Sequence, residues 1–125
     1  MTVLADTCWY IDQTRSPLAT RDWIARHPDS QLMLCHPVVA ELAAGGRSRK
    51  AIGRLTHEAR PLPIDFETAE IWGREMERLR GSGTTIGVND LWIAAVAVRY
   101  GLPVLTRNVG EFGRVDGLDV ETYAE

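Results

Sequence analysis

The chain has 125 residues, 45% of them apolar and 25% charged, which suits one globular domain over residues 1–125 that buries a core without metal or disulfide staples. Its formal net charge of −3 argues against a protein whose whole surface grips nucleic acid, although it leaves room for a local basic track. No apolar run approaches a bilayer span, and the N-terminus lacks the basic start and apolar stretch of a secretion signal, so the expected compartment is the cytoplasm.

Short apolar runs alternate with amphipathic stretches, the pattern of α/β layers around a parallel sheet. Residues 2–5 read as a short buried strand, with Asp6 and Thr7 at its C-terminal end, and residues 9–13 begin a helix. A second helix spans 18–27, between Pro17 and Pro28, and a second strand spans 31–35. Pro37 sits where the first turn of a helix tolerates proline; that helix continues through 38–44 and stops at Gly45-Gly46. Ser48 is placed to cap a helix to about Ala59, and Pro61 and Pro63 bracket an extended piece ending at Ile64. Asp65 is placed to cap a long helix through Leu79, whose buried face is marked by Ala69, Trp72, Met76 and Leu79 at helical spacing. A loop at 81–87 follows, and then a helix capped by Asn89 or Asp90 that ends at Gly101. That helix is apolar almost all round and should lie at the centre of the molecule. Residues 103–106 form a strand, 109–112 a helical turn, and 118–123 a final edge strand.

Three acids stand out. Asp6 directly follows a buried strand, where a carboxylate is costly to desolvate unless a helix N-terminus, a hydrogen bond or a cation compensates it. Glu41 is the one charge in Val38-Val39-Ala40-Glu41-Leu42-Ala43-Ala44, so it points either to solvent or into a pocket. Asp90 heads the most apolar helix, as a cap or as a carboxylate held rigidly at the sheet's mouth. Asn108, just past the 103–106 strand, is either a turn residue or an oxygen ligand. Clustered acids suit Mg²⁺, which prefers hard oxygen ligands and pairs with substrate phosphates. Cys8 and Cys35 lack zinc spacing and read as reduced thiols, and His27, His36 and His57 form no ligand set.

These residues resemble the PIN-domain nucleases, specifically the VapC toxins of bacterial toxin–antitoxin pairs. The resemblance rests on Leu4-Ala5-Asp6-Thr7, on Val38 to Leu42, on Val88-Asn89-Asp90-Leu91-Trp92-Ile93-Ala94-Ala95, and on Leu105-Thr106-Arg107-Asn108-Val109-Gly110-Glu111-Phe112. It implies a three-layer α/β/α sandwich with a mainly parallel sheet, and RNA cleavage dependent on Mg²⁺ or Mn²⁺. It matches Asp6, Glu41 and Asp90 to the metal-binding catalytic acids, and Asn108 to a fourth catalytic position that is often Asp, with Glu111 as a substitute more readily expected to face solvent. Thr7 and Thr106 match partners that orient the acids. The resemblance also implies a homodimer and a VapB-like antitoxin that docks near the first two helices, where Trp9, Tyr10 and Trp23 offer a groove or plain core.

Arg107 beside Asn108 is a candidate for gripping RNA. Arg47, Lys50 and Arg54 share a helix face, with Arg49 and Arg60 nearby; this is either a solvated surface or a phosphate-steering one. Trp72 and Trp92 read as core or dimer interface. The competing functional reading is a non-catalytic PIN-like module that binds protein or nucleic acid. A phosphatase-like site with Asp6 as nucleophile lacks the usual second Asp, because position 8 is Cys.

Overall fold

The computed structural model describes residues 1–124. In chain order they form β1 (Thr2–Ala5), α1 (Thr7–Arg15), α2 (Pro17–Arg26), β2 (Gln31–Leu34), α3 (His36–Ala44), α4 (Arg49–Thr56), β3 (Arg60–Pro61), α5 (Phe66–Gly81), α6 (Val88–Tyr100), β4 (Val104–Thr106), α7 (Val109–Phe112) and β5 (Val120–Thr122). The strands form one sheet in the order β3-β2-β1-β4-β5, every pair parallel, flanked by helices as an α/β/α sandwich.

That order follows from the sequence. Val3, Leu4 and Ala5 in β1 and Val104, Leu105 and Thr106 in β4 are all fully buried, as central strands of a parallel sheet covered on both faces must be. The chain steps from β1 outward through β2 to β3, then returns across β1 to β4 and β5. Near-obligatory right-handed crossovers place helices from the outward and the return steps on opposite faces. The direction reverses between β1 and β4, and the carboxyl ends of those two strands are where an open α/β sheet offers a ligand crevice.

Helix α6 is buried along Leu91 and Ile93 to Ala97, as its apolar sequence requires, and Gly101 ends it in the left-handed region at φ 67°. It packs extensively against α5, and α5 opens with a full capping box in which Asp65 and Thr68 exchange hydrogen bonds. Arg99 of α6 grips Asp65 with two nitrogens, at 3.0 and 2.9 Å, which pins the start of α5 to the end of α6. Against α1, Trp9 meets Trp23 and Tyr123 edge-on, with ring centroids 5.6 and 5.1 Å apart.

Several expectations need correction. The buried face of α5 is Thr68, Glu75, Met76 and Leu79 with Trp72 half-buried, whereas Ala69 is exposed. Ala69 lies off the stripe of Thr68, Trp72, Glu75, Met76 and Leu79, which recurs every three to four residues and faces the core, so the helix turns it outward. Neither Asn89 nor Asp90 caps α6: Gly87 occupies that position, its carbonyl accepting from the Leu91 N–H at 2.9 Å. Trp9, Tyr10 and Trp23 are 0%, 1% and 0% exposed, so they are core and present no groove to a partner. Trp72 and Trp92, by contrast, are half-buried and stacked at 5.3 Å beside the 60% exposed Val88.

Candidate metal centre

Each acid is delivered by a different element. Asp6 caps α1 from the end of β1, its Oδ1 accepting from the Thr7 N–H at 2.7 Å. Its Oδ2 accepts from the Thr106 hydroxyl at 2.9 Å and the Cys8 thiol at 3.3 Å. The Asp6 N–H meanwhile donates to the Leu105 carbonyl at 2.9 Å, so β1 and β4 deliver Asp6 and Thr106 as one unit at the reversal point. Glu41 projects from α3, and its Oε1 accepts from the Thr7 hydroxyl at 2.9 Å. Thr7 thus touches two acids, Asp6 through its backbone and Glu41 through its side chain.

Asp90 stands in the first turn of α6, where the helix's positive end favours a carboxylate. Its neighbour Asn89 donates from Nδ2 to the Pro37 carbonyl at 2.9 Å. This bond ties the start of α6 to the start of α3, and so fixes where Asp90 lies relative to Glu41. A carboxylate oxygen from each of Asp6, Glu41 and Asp90 lies within 4.8 Å of the other two.

The electrostatics match that crowding. Burial pushes the Asp6 carboxyl above its ordinary range, against its hydrogen bonds from Thr106, Cys8 and Thr7 and with a further push from Glu41. Asp90 is pushed up to about 7, first by desolvation and then by repulsion from Asp6, Glu111 and Glu41. Three acids packed this closely are a fold liability unless a proton or a cation sits among them. Their donor set is all hard oxygen, which fits a Mg²⁺- or Mn²⁺-sized ion and excludes a thiol- or imidazole-built zinc site at the same point.

The fourth position is more intricate than the sequence conveys. Asn108 makes no hydrogen bond to the three acids; its backbone N–H donates to the Thr106 hydroxyl at 2.9 Å and its Nδ2 donates to Glu111 Oε2 at 3.2 Å. Glu111 is partly buried, its Oε1 held beside the site by the Gly87 N–H at 2.8 Å in a bond still open to solvent. That bond holds the Glu111 carboxyl below its ordinary range, while the charge of Glu111 helps to push the Asp90 carboxyl up. A Cβ at Gly87 would stand 3.4 Å from Asp90 Oδ2 and 3.5 Å from Glu111 Oε1, ordinary van der Waals distance from both acids.

Three contributors are not evident in the sequence: Cys8 on Asp6, Asn89 between α6 and α3, and the Gly87 N–H on Glu111. Only the i+2 spacing of Cys8 from Asp6 was visible as a local signal. Arg107 is committed elsewhere: its Nη1 lies 3.0 Å from Oδ2 of the buried Asp12, which also accepts from the Tyr123 hydroxyl at 2.7 Å.

A parallel α/β sandwich with three convergent carboxylates at its strand reversal defines a class of acid-cluster proteins whose site could hold a metal ion. The comparisons narrow the class. A family model, PIN domain, matches residues 4–118. The chain is 34% identical over 113 residues to Ribonuclease VapC10 of Mycobacterium tuberculosis, 88% of this chain and 85% of that protein. It is 27% identical to a chain in the structure of VapBC-1 from nontypeable Haemophilus influenzae, with a TM-score of 0.82 and 100% of both chains covered. A chain of VapBC-5, a member of the VapBC family of toxin-antitoxin systems from Mycobacterium tuberculosis, is 30% identical with a TM-score of 0.67, over 97% of this chain and 96% of that one. Four other curated VapC ribonucleases match over a segment, and the chain spans only between 41% and 47% of their length. The chain belongs to the PIN-domain family.

Proposed function

We propose that the chain is an endoribonuclease dependent on Mg²⁺, with Mn²⁺ as a substitute, and the toxin of a toxin–antitoxin pair acting in the cytoplasm. The observation that carries this reading is the meeting of Asp6, Glu41 and Asp90 oxygens within 4.8 Å at the carboxyl ends of β1 and β4. The names of the relatives, ribonucleases among them, support the same direction.

Asp6, Glu41 and Asp90 would hold the ion. A divalent cation bound there would neutralise phosphate charge and promote attack by water at phosphorus. The chain's own residues supply orientation. Thr7 fixes Glu41, Thr106 and Cys8 fix Asp6, and Asn89 fixes the approach of α6 to α3. Glu111, held by Gly87 and Asn108, supplies the fourth negative charge in place of an acid at position 108.

The partner is a VapB-like antitoxin, supported by the VapBC complexes among the similar structures. On the first two helices its contacts fall to the exposed Leu18 and Ile24, since the aromatics there are buried. A homodimer is supported by the half-buried Trp72–Trp92 stack beside exposed Val88.

Cleavage of a labelled RNA with and without Mg²⁺ tests the reading. Wild type should cut only with the ion, and Asp6→Ala and Asp90→Ala should leave the RNA intact. Equal decay in all samples, or none in any, would favour the non-catalytic module.

A further inference from the structure

The densest run of cations in the chain lies outside the acid cluster. Residues 42–57 carry Arg47, Arg49, Lys50 and Arg54 and no acid, in a chain of net charge −3. Among the described residues, none of these four has a carboxylate within 4.0 Å, which is equally true of Arg15, Arg21, Arg26, Arg60, Arg74, Arg80 and Arg114; what sets the four apart is their crowding along α4 and its approach with no acid between them. Arg49 and Lys50 even occupy the first turn of α4, where the helix's positive end opposes them and only the Ser48 cap compensates. No ion pair among the described residues accounts for these cations.

Their placement suggests what does. A cleft of about 580 Å³ is lined by Lys50, Gly53, Arg54 and His57. A second, of about 330 Å³, runs along Thr14, Arg47, Ala51, Arg54 and Leu55, so the two meet at Arg54. Nothing lies within 4 Å of where a Cβ at Gly53 would stand, which leaves the first cleft open. The Arg47 Nη1 stands 2.8 Å from the corresponding point at Gly45, just past the end of α3 and one turn beyond Glu41. Thr14 is on α1, as is Thr7, which grips Glu41. The cleft and the acids therefore share the α1–α3 edge, roughly 10 Å apart along α1 at ~1.5 Å per residue.

We propose that this cleft along α4 is a phosphate-backbone subsite that holds the RNA strand beside the acid cluster. The proposal rests on the nuclease reading and adds where the substrate lies. Arg47 and Arg54 offer planar forks to phosphate oxygens and Lys50 a mobile point charge. An acidic peptide is the poorer fit, since neither cleft is lined by the Trp, Tyr or Phe anchors that protein interfaces concentrate their energy in.

The test uses a fluorescein-labelled 12-nucleotide oligouridylate in EDTA, so that binding is read without cleavage, over 50 to 200 mM KCl. The triple variant Arg47→Gln/Lys50→Gln/Arg54→Gln should bind at least tenfold more weakly at 50 mM. Its log–log salt slope should be shallower by about 2, since each single-strand phosphate contact contributes ~0.7. An Arg74→Gln/Arg80→Gln control on α5 should match wild type, and all three should melt alike. Unchanged affinity and slope in the triple variant overturn the proposal. So does wild-type binding of a 12-residue polyglutamate as tight as that of the RNA and lost in the triple variant. Cleavage of a dinucleotide, too short to reach α4, separates the two claims. Its persistence in the triple variant leaves the acid chemistry intact, whereas failure of wild type to cut the longer labelled RNA with Mg²⁺ defeats the nuclease reading while the binding result stands on its own.

Discussion

Replacing Asp90 by Asn should make the metal-free protein more stable, although it removes a residue the proposed activity needs. In the fold this carboxyl is pushed from 3.8 up to about 7. Its folded pKa is above its unfolded one, so its contribution to stability is whole below about pH 4 and is lost as pH rises through about 7. Three units would correspond to about 4 kcal/mol at ~1.4 kcal/mol per unit. Asp90 is only half-buried, and solvent screening brings the expected effect to about 2 kcal/mol. For a chain of this size that is a melting shift of roughly 5–10 °C. The assay is a thermal melt of wild type and Asp90→Asn in EDTA at pH 4 and pH 8. The variant should melt higher at pH 8 and level with wild type at pH 4. Adding Mg²⁺ at pH 8 should raise wild type and leave the variant nearly unmoved, because a bound cation relieves the same repulsion. Equal melting at pH 8, or a variant less stable there, would refute the idea that Asp90 is strained by its neighbours.

Other outcomes follow from the same geometry. Thr106→Val removes the hydroxyl that donates to Asp6 and receives the Asn108 N–H, and should weaken Mn²⁺ binding by about 10–100-fold with the fold kept, as read by calorimetry and circular dichroism. Asn89→Ala cuts the tie from α6 to Pro37 and should lower kcat more than it raises KM for RNA; an unchanged kcat would show that this bond does not position Asp90. Trp23→Ala empties a fully buried site against Trp9 and should cost about 3–5 kcal/mol, read as a lowered urea midpoint.

Much of this molecule was legible where local pattern and tertiary role coincide. The continuous apolar runs of β1, β4 and α6 could be satisfied only at the centre of a layered sheet, and they lie there. Asp65 capped its helix as expected because the capping box is a contact between residues three apart. Glu41 was conspicuous as the one charge among the apolar residues 38–44, and it reaches the Thr7 hydroxyl beside Asp6.

What stayed hidden depends on partners far away in the chain. Asn89 looks like a cap until Pro37, 52 residues earlier, is seen to accept its amide. Glu111 looks solvent-facing until the Gly87 N–H, 24 residues away, is seen to hold it beside the site. The aromatics of α1 and α2 looked equally suited to a groove or a core, and Tyr123, more than 100 residues on, closes over Trp9. Hydrophobicity alone does not say which side of such a ring another element will cover.

Everything proposed for activity depends on whether side chains from β1, α3 and α6 share one cation. Titration of Mn²⁺ into the metal-free protein, followed calorimetrically, reads this without any RNA. A saturable site in wild type that weakens at least tenfold in each of Asp6→Asn, Glu41→Gln and Asp90→Asn is the predicted result. Binding that survives unchanged in any one of the three variants would contradict it.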